Sequence, residues 1–110
     1  MGRKILESEF QRNLVKELKE RFKDCMIIRM DPRRKQGIPD ILVLWQDCWA
    51  ALELKRSKGA RKRPNQDYYV ERMNEMSYAS FIYPENKEVV LNDIQRAFES
   101  KRTARIPGRK

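Results

Sequence analysis

The residues with the clearest chemical potential are Asp40, Glu53 and Lys55. Gly37-Ile-Pro-Asp40 is followed, after twelve intervening residues, by Glu53-Leu-Lys55. On a strand, residues i and i+2 face the same way, so Glu53 and Lys55 share one face and Leu54 points into the opposite layer. A hairpin turn near Gln46-Asp47 folds the start of one strand beside the end of the other and brings Asp40 close to both. Two carboxylates bind a hard cation such as Mg²⁺ through oxygen, and the Leu54 backbone carbonyl is a further candidate ligand. Such a cation lowers the pKa of an attacking water and neutralises phosphate charge. Lys55 adds a compact charge to orient that water and stabilise developing negative charge. The set suits phosphodiester hydrolysis. A surface strand with an ordinary Glu/Lys pair is the plainer reading of the same letters.

Two further polar residues sit on apolar helix faces. Glu7 lies three, seven and eleven residues before Phe10, Leu14 and Leu18, which points it inward. Glu9 instead aligns with Arg12, Asn13 and Lys16 on the solvated face. Glu7 is therefore the carboxylate of the first helix that would serve as a metal or water ligand; the alternative is a first-turn acid favoured by the helix dipole. Gln66 precedes Tyr69, Val70 and Met73 by three, four and seven residues, so it too faces inward. A buried amide needs partners. Gln66 reads either as a residue that supports the site and orients phosphate, or as a helix cap.

These residues need elements to hold them. A helix is predicted over about residues 7–24, from Phe10, Leu14, Val15, Leu18 and Phe22. Cys25–Met30 reads as a strand and Asp31–Gly37 as a basic loop. Asp40–Lys55 reads as a β-hairpin, opened by Pro39, which a first strand position tolerates. A basic loop over Arg56–Arg63 leads to a helix starting at Pro64, with Tyr69, Val70, Met73 and Met76 on its apolar face. Ala79–Tyr83 is a short strand, and Pro84-Glu85-Asn86 a turn in which Asn86 is placed to cap a last helix carrying Val90, Leu91, Ile94 and Phe98. The order α-β-β-β-α-β-α predicts an α/β domain with a small mixed sheet between helices. One domain over residues 1–101 is expected, with a loose basic tail over 102–110. Trp45 and Trp49 are expected to pack in the core or at a dimer contact rather than stack on bases. Tyr69 is expected in the core and Tyr68 at the surface.

Composition narrows the chemistry. The chain has 110 residues, no histidine and two cysteines, which excludes a histidine base, a Ser-His or Cys-His nucleophile pair and a four-ligand zinc site. Cys25 and Cys48 border apolar runs and read as buried thiols of a reducing cytoplasm. No apolar stretch approaches the length of a membrane span, and the first residues lack the apolar segment of a signal peptide. A net charge of +9 points to a polyanion. Fifteen of the 25 Lys and Arg residues lie in three short segments, Arg29–Lys35, Lys55–Arg63 and Lys101–Lys110. Such clustering favours nucleic acid over membrane. Arg33, Arg34, Lys35, Arg56, Lys58, Arg61, Lys62 and Arg63 are the candidate backbone-gripping residues. A non-catalytic DNA- or RNA-binding module is the competing reading.

Glu7-Ser8-x-Phe10 with Leu14-Val15, Gly37-Ile38-Pro39-Asp40, Glu53-Leu54-Lys55 and Arg63-Pro64-Asn65-Gln66 occur in one order over about residues 5–98. In this the chain resembles the PD-(D/E)xK nucleases, and among them the stand-alone VRR-NUC type common in phages and bacteria. The resemblance implies a restriction-endonuclease-like fold, a Mg²⁺ or Mn²⁺ requirement and DNA phosphodiester cleavage, in the cytoplasm of a bacterium or phage-infected host cell. It matches Glu7 to the helix glutamate, Asp40 and Glu53 to the metal-binding acids, Lys55 to the catalytic lysine, and Gln66 to the glutamine opening the following helix. It further implies a homodimer that cuts branched DNA, including four-way (Holliday) junctions.

Overall fold

A two-residue turn at Gln46-Asp47 decides the centre of the fold. In the computed structural model, which describes the backbone of residues 2–31 and 33–105 and the side chains of 9–31 and 33–100, Gln46 adopts φ 58°. Tight hairpins favour a positive φ at the first central residue, because the resulting twist matches that of the flanking strands. The turn fixes Trp45 opposite Cys48 and hence Ile41 opposite Leu52. The elements are α1 (Gly2–Arg21), β1 (Met26–Arg29), β2 (Ile41–Trp45), β3 (Cys48–Leu54), α2 (Gln66–Met76), β4 (Tyr78–Ile82) and α3 (Lys87–Arg105). The order is the expected α-β-β-β-α-β-α. The sheet runs β1-β2-β3-β4. Its first three strands are antiparallel, and β4 lies parallel to β3. The parallel pair requires a crossover, which α2 supplies.

Alternation along β3 makes two layers. Cys48, Ala50, Leu52 and Leu54 join Leu14, Leu18 and Phe22 of α1 and Val90, Leu91, Ile94 and Phe98 of α3 in the larger core. Each fully buried Leu, Ile or Phe there contributes about 1.5–3 kcal/mol. Ala51, Val70 and Ala79 form a smaller cluster under α2, with Leu42, Trp49, Met73 and Phe81 packed against it. Trp45 packs in the larger core, as expected, with ring centroids 5.3 Å from Phe22 and 5.9 Å from Phe98. Arg21 ties the end of α1 to α3 through Asn92 at 3.0 Å, Gln95 at 3.1 Å and Glu88 at 3.2 Å. Cys25 and Cys48 are thiols not joined in a disulfide, and burial raises the pKa of Cys25.

Several boundaries differ from expectation. α1 stops at Arg21 rather than near residue 24, because Asp24 turns left-handed at φ 69° and the Cys25 N–H bonds back to the Phe22 carbonyl at 2.9 Å. α2 begins at Gln66 rather than Pro64, because Asn65 adopts φ 70°. Tyr69 is half-buried beside Tyr68, with ring centroids 5.0 Å apart, so Val70 and Met73 carry the packing of α2. Asn86 reaches back to accept the Tyr83 N–H at 2.8 Å, within a 3-10 turn that leads directly into α3. Residues 102–105, expected in a loose tail, continue α3; 106–110 lie outside the described residues. Among the described residues no helix is long and apolar enough to cross a membrane.

Candidate functional site

The hairpin register carries Asp40, the residue before Ile41, level with Glu53, the residue after Leu52. Asp40 is held there from both ends. Its backbone carbonyl accepts the Met30 N–H at 2.8 Å, and its carboxylate Oδ2 accepts the Leu54 N–H at 2.8 Å. Glu53 and Lys55 project together toward the α2 side and are both buried, at 4% and 8% exposure.

Gln66 joins them. Its Nε2 donates to Glu53 Oε2 at 2.7 Å. Its Oε1 accepts from Lys55 Nζ at 2.6 Å and from the Arg63 N–H at 2.8 Å. With donors on one side and a carboxylate on the other, only one orientation of the amide fits. Lys55 Nζ also donates to the Arg61 carbonyl at 3.0 Å. Gln66 is therefore more than a helix-opening residue: it locks the glutamate, the lysine and the end of the basic loop into one network.

The network leaves one group unsatisfied. Glu53 Oε1 is buried without a hydrogen-bond partner. Burial, then the neighbouring Asp40 carboxylate, push the Glu53 pKa up to about 8, against the opposing pull of Lys55. Burial also lowers the pKa of Lys55, offset in part by Glu53. An unpartnered buried carboxylate oxygen is costly. A divalent cation of the Mg²⁺ type suits the position, because it takes hard oxygen ligands and offsets two crowded negative charges. Asp40 and Glu53 could hold it. Among the described residues no group of three or more His, Cys, Asp or Glu side chains converges. The Glu7 side chain falls outside the described residues. Glu9 is exposed, as its helical phase implies.

Asp40, Glu53, Leu54, Lys55 and Gln66 open into a cleft of about 580 Å³. Arg33, Arg56, Arg61 and Arg63 rim it. Lys58 and Lys62 instead border a second cavity behind Lys55. Arg34 and Lys35 border neither cavity. All eight of these basic residues are exposed. Arg33 is held by Asp31, with Nε and Nη2 both 3.0 Å from its carboxylate.

Gly37 is the residue whose role spacing alone does not reveal. It has φ 89°, and a Cβ there would lie 2.6 Å from Asn65 Cβ and 2.8 Å from the Pro64 carbonyl oxygen. The loop carrying Asp40 thus docks directly on the turn that opens α2. The sequence holds two traces of this docking: a glycine, free to take positive φ, and an asparagine, which tolerates the left-handed region better than most residues. No protein-family model, curated protein or solved structure matches this chain.

Proposed function

We propose that this protein is a metal-dependent DNA endonuclease of the PD-(D/E)xK kind, hydrolysing phosphodiester bonds and selecting branched DNA such as four-way junctions. The observation that carries the reading is the buried, unpartnered Glu53 Oε1 beside Asp40, in a cleft rimmed by arginines. Asp40 and Glu53 would hold the Mg²⁺ or Mn²⁺ ion, which would lower the pKa of an attacking water and offset the charge of the phosphate. Lys55 sits two residues on and is pinned by Gln66 and the Arg61 carbonyl. It offers a fixed positive charge to the scissile phosphate and orients the water. Gln66 keeps Glu53 and Lys55 from collapsing onto each other by standing between them. The arginine rim grips the flanking phosphates. Glu7 is the proposed third carboxylate and the Leu54 carbonyl the proposed backbone ligand. Two coordinated cuts in a two-fold symmetric junction require two such sites, so the working form is a homodimer. Cys25 and Cys48, not joined in a disulfide, suit a reducing cytoplasm.

A pure binding module gains nothing from a buried carboxylate that repels its neighbour. The reading is tested by incubating the protein with a synthetic four-way junction and a matched linear duplex, in Mg²⁺, Mn²⁺ or EDTA. Metal-dependent products, enriched on the junction, are expected. Lys55→Ala is expected to remove cleavage while leaving DNA binding in place. Cleavage at the wild-type rate by well-purified Lys55→Ala protein overturns the assignment.

A further inference from the structure

Lys55 borders two cavities. The second, about 440 Å³, lies behind it at the free edge of β4. Its floor is Val70, Ala79 and Phe81, its basic wall Lys58 and Lys62, and its polar end Tyr83 and Asn86. Phe81 pairs with Glu53 across the sheet, so its ring lies on the strand beside the proposed metal site. Lys62 Nζ rests over that ring, 4.7 Å from its centroid. The same ammonium bonds Asp67 at 3.0 Å and stays half-exposed. Lys55 Nζ lies 5.8 Å from the ring centroid.

An apolar floor with one aromatic face and cations on one wall match a planar heterocycle attached to a phosphate. An aromatic residue stacks any base, and cations track the backbone. The volume falls in the range of small-ligand pockets. Lys62 is on a flexible stem and can exchange the ring for a phosphate, freeing the face of Phe81. We infer that this cavity is a nucleotide subsite, which takes one unstacked base of the cleaved strand against Phe81 while Lys58 and Lys62 hold its phosphate. The inference rests on the nuclease reading for its occupant. It adds what that reading lacks: a receptacle for a base that has left the helix, which costs least where pairing is already broken.

The test needs no catalysis. Thymidine 5′-monophosphate is titrated into the isotopically labelled full-length protein in EDTA, and amide shifts are followed by NMR, with inorganic phosphate as a parallel arm. Saturable shifts across residues 79–83 are expected from the nucleotide, and from phosphate only at the basic wall. Phe81→Leu, whose own spectrum reports whether it folds, is expected to weaken nucleotide binding about fivefold or more, consistent with the usual loss of one stacked base. Lys58→Glu keeps the ring and is expected to weaken both ligands. The same shifts from phosphate alone, or nucleotide affinity unchanged in either folded variant, overturn the subsite. Nucleotide binding without junction cleavage would sink the nuclease reading alone; cleavage without nucleotide binding would sink this inference alone.

Discussion

One strand, β3 with the residue after it, presents two opposite kinds of surface. Cys48, Ala50, Leu52 and Leu54 enter a large apolar core between α1 and α3. Trp49, Ala51, Glu53 and Lys55 face α2, where the apolar cluster is small. Both faces are buried, yet only the α2 face carries ionisable acid and amine groups, Glu53 and Lys55. The difference divides the work. The α1/α3 face holds the backbone of β3 in place, and that rigidity lets the other face keep the side chains of Glu53 and Lys55 out of water in a fixed geometry. Burial of such groups is unfavourable unless they are paired and hydrogen-bonded, so the α2 face draws on stability supplied by its opposite.

Truncating each face measures this division. Phe98→Ala removes a fully buried ring from the large core and is expected to destabilise by about 3–5 kcal/mol, lowering the melting temperature by more than about 10 °C. Val70→Ala removes two methyl groups from the small cluster, at a cost of about 1.5 kcal/mol. Urea denaturation of both variants checks the contrast. Equal costs would mean that the two faces share the stabilisation, and the division would fail.

The charged side of the comparison has its own signature in pH. The folded chain keeps a proton on Glu53 up to about pH 8, whereas an ordinary glutamate releases it near 4.5. Between those values the folded state holds more protons than the unfolded state, so stability falls as pH rises. The contribution is fully present below about 4.5 and fully lost above about 8. Glu53→Gln has no proton to lose and is expected to flatten this slope, and to exceed wild type in stability at pH 8.5 by up to a few kcal/mol. A divalent cation competes with that same proton. Mn²⁺ or Mg²⁺ is therefore expected to raise the wild-type melting temperature more at pH 8 than at pH 5.5, and to leave Glu53→Gln nearly unmoved. A metal-induced rise that is independent of pH would detach the cation from Glu53.

Much of this arrangement is legible in the amino-acid sequence. The meeting of Asp40 with Glu53 and Lys55 follows from a two-residue turn and strand alternation, both local rules. Gln66 follows from helical phase, although its helix opens two residues later than Pro64 suggests. Periodicity reports which face a residue is on, not where a helix starts; the start is set by the left-handed turn at Asn65. Tyr69 shows the same limit, since its phase is apolar but α2 is rolled so that Val70 and Met73 meet the sheet. The hydrogen bonds of Lys55 and Gln66 to the loop backbone, and the docking of Gly37 on Asn65, join separate segments of the chain, and no local pattern encodes them.

Breaking that docking has an intermediate cost. Gly37→Ala puts a methyl group within 3 Å of the Pro64–Asn65 backbone and an L-residue at φ 89°. A destabilisation of about 1–3 kcal/mol is expected. Its location matters more than its size, because the loop that moves carries Asp40. Cation affinity, read by titration calorimetry, should drop in Gly37→Ala and stay intact in Val70→Ala, even though the two are destabilised to a similar extent. A parallel drop in both would show that metal affinity follows global stability rather than the placement of Asp40.

The smallest stability effects belong to the basic residues around the cleft, where the comparison passes from burial to charge. Arg56 and Arg33 both rim it, but Arg33 already commits its guanidinium to Asp31, and the pair raises the pKa of the arginine and lowers that of the aspartate. Neither substitution to alanine should shift stability measurably, because both side chains are exposed. Their effect should appear in the salt dependence of DNA binding. Removing one cation that neutralises a phosphate reduces the slope of log affinity against log salt by about 0.9 on duplex DNA. Arg56→Ala is expected to show about that reduction, and Arg33→Ala distinctly less, since Asp31 must be displaced before Arg33 can meet a phosphate. Asp31→Asn supplies the reverse case: it frees Arg33, removes a negative charge facing the DNA, and should tighten binding at low salt. If Arg33→Ala flattens the slope as much as Arg56→Ala does, then Arg33 leaves Asp31 for DNA in the complex, and the loop carrying Asp40 closes on the substrate as part of binding.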